Sequence, residues 1–291
     1  MTTTLETPPL RHQLARQPAP ADPVQRGRPL RRAGLLLGYL AWRSAAIALF
    51  LLLWEFGPKY LLDGQTRVFL PPLHEDLQAG WRLVQNGQLQ ADLRASLTRS
   101  VIGFGLAVLT AIPVGLLVAW YRPVESFLNP LLEIFRNTAA LALLPVFILL
   151  LGIGETSKIS IVAYASFFPI LLNTVSGVKT VDPLLVRAAR TLGLSRFALF
   201  TKVILPSAVP TIFTGIRMAG SSAILVLIAA EMVGAKAGLG FEIVNAQSSF
   251  QIQDMYAAIL TTSVLGVGVN YGFVRLERHF SRWRTGTAVA R

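Results

Sequence analysis

Cysteine is absent from this 291-residue sequence. That excludes disulfides and thiolate metal sites and leaves the redox compartment open. Histidine is nearly absent: His12, His74 and His279 are scattered, so no metal-ligand spacing exists, and no enzyme active site is visible. Charge is scarce as well, at 14% of residues, against roughly 25% in soluble domains. Acids are scarcest, with 15 Asp and Glu against 27 Lys and Arg, a net charge of +12. An ordinary soluble domain does not have this balance.

What is present is apolar. Hydrophobic residues make up 53% of the chain and mean hydropathy is +0.54. Runs of about 20 residues recur, the length a helix needs to cross roughly 30 Å of hydrocarbon. Six spans are expected, at about 38–57, 100–120, 133–152, 158–176, 211–233 and 255–274. The fold class is therefore all-α, a polytopic membrane helix bundle.

A net charge of +12 invites a nucleic-acid partner, and its distribution argues against one. Arg11, Arg16, Arg26, Arg28, Arg31 and Arg32 precede the first span; Arg275, Arg278, Arg282, Arg284 and Arg291 follow the last. Lys179, Arg187, Arg190, Arg196 and Lys202 lie between spans four and five. With six spans these regions share one side, which the positive-inside rule makes cytoplasmic, both termini included. Segments on the other side are more balanced, with Lys59, Arg67, Arg82, Arg94 and Arg99 against Asp63, Glu75, Asp76 and Asp92.

Residues 1–33 lack apolar periodicity and are expected to form a disordered basic cytoplasmic tail, with the membrane domain over 34–291. Arg31-Arg32 resembles a secretory signal, but Arg43 interrupts the run behind it and more spans follow, so a retained first span is the better reading. Leu77–Gln88 and Leu93–Ile102 have helical apolar spacing and are expected as external amphipathic helices. Pro113, Pro145 and Pro169 fall inside spans. Gly103, Gly105 and Gly115 punctuate span two, and Gly266, Gly268 and Gly272 span six. Gly268 and Gly272 have the spacing that permits close helix approach, read as packing within the bundle.

The polar stretch between spans four and five is the most informative. Asp182-Pro183 predicts a helix start, an acid cap followed by proline at the first position. Leu184, Leu185, Ala188, Ala189 and Leu192 share a face by i, i+3, i+4 spacing, and Gly193 ends the helix. Ser195 caps a second short helix, closed by Leu205-Pro206. Two short helices with a glycine bend between them are expected over about 180–210. Spacing alone leaves docking of a partner and rest on lipid headgroups both open.

Arg187-Ala188-Ala189, Gly193 and Val203-Ile204-Leu205-Pro206 resemble the E-A-A-x-x-x-G-x9-I-x-L-P signature of permeases of bacterial binding-protein-dependent ABC importers. Further matches look like the branch serving aliphatic sulfonates, taurine and nitrate. They are Ser96–Arg99 with Gly103-Phe104, Leu143–Pro145 with Gly152–Glu155, Phe167–Thr174, and Ala230–Gly234 with Gly238–Gly240. The similarity covers roughly residues 60–285. One departure stands out: Arg187 occupies the place of the signature's leading glutamate.

The resemblance implies a transport subunit, not an enzyme, in a bacterial inner membrane. ATP and Mg²⁺ would be held by a partner ATPase dimer and no cofactor by this chain. A second permease copy, an external solute-binding protein and membrane lipid complete the implied partners, with no nucleic acid. Asp182, Leu185, Arg187, Ala188, Ala189, Leu192, Gly193 and Pro206 become the ATPase-docking residues. Rare polar residues of spans four and five, namely Asn173, Ser221, Ser222 and Glu231, are candidates for the substrate path. For Glu231 a hydrogen bond to the Gly234–Gly240 loop is an equal reading, and Arg217 is expected to snorkel to headgroups. A carrier or channel without an ATPase is the competing class; it calls for charged relays or inverted repeats, and neither is seen.

Overall fold

The computed structural model describes residues 45–60 and 63–280, and all regular structure among them is helical. The tail at 1–33, Arg43, the start of the first apolar run and the arginines beyond 280 lie outside the described residues. Two compact units are distinguished, Met1–Leu52 and Leu53–Arg291. The first is described only over 45–52, an exposed helical stretch. The helix α1 (45–60) runs across the division; everything below lies in the second unit.

After a turn of helix, α2 (Gly64–Arg67), the amphipathic α3 (Leu73–Gln85) begins behind Pro72, with Glu75 and Asp76 in its first turn, where acids complement the helix dipole. Gly87, at φ 80°, turns the chain into α4 (Gln88–Trp120), 33 residues long. The expected external helix over Leu93–Ile102 is therefore the first part of α4. Nothing in Gln88–Ile102 breaks a helix, so it fuses with the span and reaches about 50 Å at 1.5 Å per residue.

The third expected span is not one helix. The pair α5 (Arg122–Arg136) and α6 (Leu144–Leu151) is bent by 89°, with a short 3-10 turn at Ala140–Leu143 between its halves. Asn137 and Thr138 cause the break by folding their side chains back on α5: Asn137 Nδ2 donates to Glu133 O and Thr138 Oγ1 to Ile134 O. Pro145, expected inside a span, stands in the first turn of α6.

From Gly152–Gly154 the chain enters α7 (Glu155–Lys179), then α8 (Pro183–Thr191), α9 (Arg196–Leu199), a π-helical turn (Phe200–Ile204) and α10 (Leu205–Glu231). A short α11 (Leu239–Ser248), not expected from the sequence, precedes α12 (Ile252–Phe280). Among the described residues four helices are long and apolar enough to span a bilayer: α4, α7, the run Arg196–Glu231 and α12. The bent α5–α6 pair makes a fifth if taken as one broken span.

The centre of the bundle is α7, packed along its length against α4 on one side and α10 on the other. Lipid gives no hydrophobic drive to this contact, so close approach of small residues supplies it through dispersion. On α4, Gly103, Ala107, Ala111 and Gly115 recur every four residues; a Cβ on Gly103 would stand 2.8 Å from Val162, and one on Gly115 2.8 Å from Thr174. Gly215 of α10 sits against Asn173 and the Pro169 carbonyl in the same way. Gly266, Gly268 and Gly272 differ from expectation: a Cβ on any of them would meet no atom within 4 Å among the described residues, so no close packing inside the described bundle uses them.

Candidate functional site

The 182–206 segment forms one end of the bundle. Asp182 caps α8, its Oδ1 accepting from Leu184 N at 2.8 Å. The end of α8 is closed twice, by Leu194 N–H to Ala189 O at 3.2 Å and Gly193 N–H to Arg190 O at 3.0 Å. That pairing needs a left-handed residue, and Gly193 has φ 76°. Ser195 then caps α9 by accepting from Ala198 N.

The expected apolar face divides in two. Ala189 is buried against the base of the bundle in a cluster with Val178, Leu199, Ile204 and Ala208. Leu184, Leu185, Ala188 and Leu192 point outward, Leu192 being 80% exposed, and Arg187 is exposed beside them. The expected stop at Leu205-Pro206 is absent: α9 continues through the π turn into α10. The Leu205 N–H reaches back to Phe200 O, a shift in register that lets Pro206, which has no N–H, stand in the first turn of α10. Pro206 is thus an entry to the span and not the end of a helix.

A buried polar knot occupies the opposite end. Arg99 of α4 donates from Nε and Nη2 to the two Glu155 carboxylate oxygens at 2.5 and 2.7 Å, and from Nη1 to Glu231 Oε1 at 2.6 Å and Ala237 O at 2.7 Å. Ser96 Oγ lies 2.8 Å from Glu231 Oε2 and accepts from Leu239 N at 2.9 Å. Asp92 accepts from Gly238 N at 2.7 Å, and Gly240 N donates to Glu231 Oε2 at 3.1 Å. The Lys158 ammonium donates to Gly154 O at 3.1 Å and lies 3.4 Å from Gly234 O. Nearby in α11, burial raises the Glu242 carboxyl above its usual range, opposed by a 2.7 Å hydrogen bond from Gln88. Asp92 and Arg99, counted in sequence with surface charge, are buried, and this knot ties α4, α7, α10 and the loop into α11 together.

The four substrate-path candidates separate. Glu231 is 1% exposed and belongs to the knot, with the expected bond to the Gly234–Gly240 loop in place. Ser221 faces α12, 3.4 Å from Asn270. Asn173 and Ser222 line one cavity between the α5–α6 break, α7 and α10. Arg217 forms an ion pair across to α12: its Nε lies 2.8 Å from Glu277 Oε2, and Glu277 Oε1 accepts from Thr214. Sequence reasoning missed Arg136, Asn137 and Tyr164 at the cavity and the joint role of Arg99, Glu155 and Glu231. Their signal was present as charge in or beside apolar runs, but pairing across 132 positions has no local signature. Among the described residues no cluster of His, Asp and Glu could hold a metal ion.

Residues 111–285 match the family described as the binding-protein-dependent transport system inner membrane component. An ABC transporter permease protein of Brucella abortus is 37% identical over 228 residues, 78% of this chain and 91% of the relative. The taurine transport system permease protein TauC of Escherichia coli is 35% identical over 74% of this chain and 80% of its own length. The aliphatic sulfonates transport permease protein SsuC of Bacillus subtilis is 36% identical, covering 69% and 73%. Among solved structures, an inward-facing form of the MetNI methionine ABC transporter aligns with a TM-score of 0.57 at 19% identity, over 69% of this chain and 96% of that one. That likeness is one of fold.

Proposed function

The chain belongs to the inner-membrane components of binding-protein-dependent transport systems, and from that premise we propose that a separate ATPase drives it through the 182–206 segment. As the transport subunit of an importer it carries no hydrolytic site of its own. ATP and Mg²⁺ sit on the partner dimer, and a second permease copy and an external binding protein complete the assembly. The solute is a small organic sulfonate or taurine, following the names of TauC and SsuC, or nitrate, which rests on the motif resemblance alone.

One observation carries the reading. Leu184, Leu185, Ala188 and Leu192 present an apolar face outward while Ala189, beneath them, is packed into the bundle. A partner groove can cover such a face, and the fixed bend at Gly193 holds it rigidly. A carrier without an ATPase leaves that face unused. Because α9 passes into α10 without a stop, a push on the segment travels along one helix from Arg196 to Glu231. The ATPase can move the bundle only by binding its conformations unequally.

The test is co-purification of the tagged chain from its native membrane, with mass spectrometry and an ATPase assay. Gly193→Pro removes the N–H bonded to Arg190 O and cannot adopt φ 76°. Insertion is expected to survive, and both the bound ATPase and solute uptake to be lost. Normal ATPase recovery and uptake with Gly193→Pro would overturn the docking role.

A further inference from the structure

Non-helical backbone at membrane depth is tolerated only where protein covers it or a polar cavity receives it. The α5–α6 break meets that condition through a cavity of about 500 Å³, within the range of small-ligand sites. Its floor lies deep in the bundle: Ser222 is nine residues before Glu231 at the end of α10, about 13 Å along the axis.

The lining is mostly apolar, with a few polar groups converging from three elements. Arg136 and Asn137 come from the break, Tyr164 and Asn173 from α7 and Ser222 from α10, with the ring of Phe168 beside them. Arg136 is the one charged residue among the described lining. Its Nε pairs with Glu133 at 2.9 Å, but Glu133 does not line the cavity, and the terminal guanidinium amino groups make no hydrogen bond among the described residues. Asn137 and Asn173 each use one amide hydrogen, to Glu133 O and Pro169 O, and keep the other. Tyr164 and Ser222 donate to backbone carbonyls of Phe135 and Ala219, so they shape the wall. The free donors are thus the terminal amino groups of the Arg136 guanidinium, whose Nε is held by Glu133, and two amides, with no acid in the cavity lining.

We propose that this cavity is a subsite for a small monoanion with a sulfonate-type head, Arg136 supplying the charge and Asn137 and Asn173 the hydrogen bonds. Phe168 and Tyr164 receive the organic remainder of the solute. An anion leaving water for this depth needs a compensating cation, and a guanidinium matches a planar or tetrahedral array of oxygens better than an ammonium does. The proposal rests on the importer reading for its solute class and on the break, the cavity and the unpaired donors for its place.

The absence of cysteine makes a direct test available. Ser222→Cys puts a single thiol on the cavity wall, and Ser221→Cys puts one on the face toward α12. Each is reacted in native membranes with two methanethiosulfonates, one bearing an ethylsulfonate and one an ethyltrimethylammonium. Rates are normalised to free cysteine, and labelling of this chain is read by mass. In Ser222→Cys the anionic reagent should react about tenfold faster than the cationic one. Arg136→Gln should bring the ratio close to one, and millimolar ethanesulfonate should slow the reaction. Ser221→Cys should show no change with Arg136→Gln. A ratio in Ser222→Cys that ignores Arg136→Gln, or favours the cation, would overturn the subsite. Labelling needs neither ATP nor transport, so failure here is distinct from loss of ATPase docking.

Discussion

Arg99 and Asp76 are both buried ionisable residues near the same end of the bundle, and their surroundings make them opposites. Arg99 is bidentate to Glu155, bonded to Glu231 and bonded to a carbonyl, so its charge is satisfied on every side. Glu155 is largely exposed, but Glu231 is fully buried, so removing Arg99 leaves a buried carboxylate without its cation, which typically costs about 3–5 kcal/mol. Asp76, fully buried at the start of α3, has neither oxygen in a well-formed hydrogen bond. Burial above all, and then the adjacent Glu75 carboxylate, pushes its pKa up to about 7, against the pull of the Trp54 indole and His74. Glu55 and the Tyr256 side chain complete its titratable neighbours. The folded state therefore holds a proton that the unfolded chain has released. Stability from this residue is fully present below about pH 4, falls by up to about 1.4 kcal/mol per pH unit as pH rises toward 7, and is flat above. Melting of the detergent-purified protein should come at lower temperature at pH 7.5 than at pH 5, and Asp76→Asn should flatten that difference. Equal pH dependence in the two proteins would show that Asp76 is not the titrating group.

Helix contacts in this bundle are decided by a handful of glycines, and they do not all do the same thing. A Cβ on Gly215 would lie 2.5 Å from Asn173 Cβ and 2.9 Å from the Pro169 carbonyl, and backbone cannot yield there without parting α7 from α10. Gly215→Ala should lower stability by about 1–3 kcal/mol. Gly268→Ala, with nothing within 4 Å, should leave the purified chain as stable or slightly more so, through the better helix propensity of alanine. A thermal aggregation series in detergent compares the two directly, and equal losses would refute the packing assignment. Sequence alone could not make this distinction, because Gly268-Gly272 and Gly215-Ala219 both carry the four-residue spacing of close approach. The same limit applies to the span count. Asp182, Gly193 and Ser195 announce their turns through local chemistry, so the caps and the bend of the 182–206 segment were legible, whereas its continuation past Leu205-Pro206 through a π turn was not. The break at Asn137-Thr138 was not, since it depends on side chains bonding back to α5 inside an apolar run. The knot was hidden for another reason: Ser96, Arg99, Glu155 and Glu231 were each readable, but only the fold brings them together.

Viewed as a whole, the chain keeps its two polar constructions at opposite ends of one continuous helix. Arg196–Glu231 begins beside the docking segment, passes the cavity at Ser222 and ends in the grip of Arg99. A displacement at one end must therefore be felt at the other unless the helix bends, and the π turn at Phe200–Ile204 is where its register is already loosened. This arrangement assigns sides only if the 182–206 segment, proposed above to dock the ATPase, is cytoplasmic. The charges favour that, with Lys179, Arg187, Arg190, Arg196 and Lys202 clustered at this end. The opposite end holds four acids, Asp92, Glu155, Glu231 and Glu242, against Arg99 and Lys158, so the basic excess is confined to the first end. A cysteine-free chain lets the sidedness be read without fusing any reporter. Lys236, exposed in the loop before α11, and Leu192, exposed at the tip of α8, mark the two ends. Lys236→Cys should react with a membrane-impermeant maleimide in intact cells, and Leu192→Cys only after the inner membrane is opened. The reverse pattern would place the docking face outside, where no ATP is available, and would remove the basis for an ATP-driven stroke along α10.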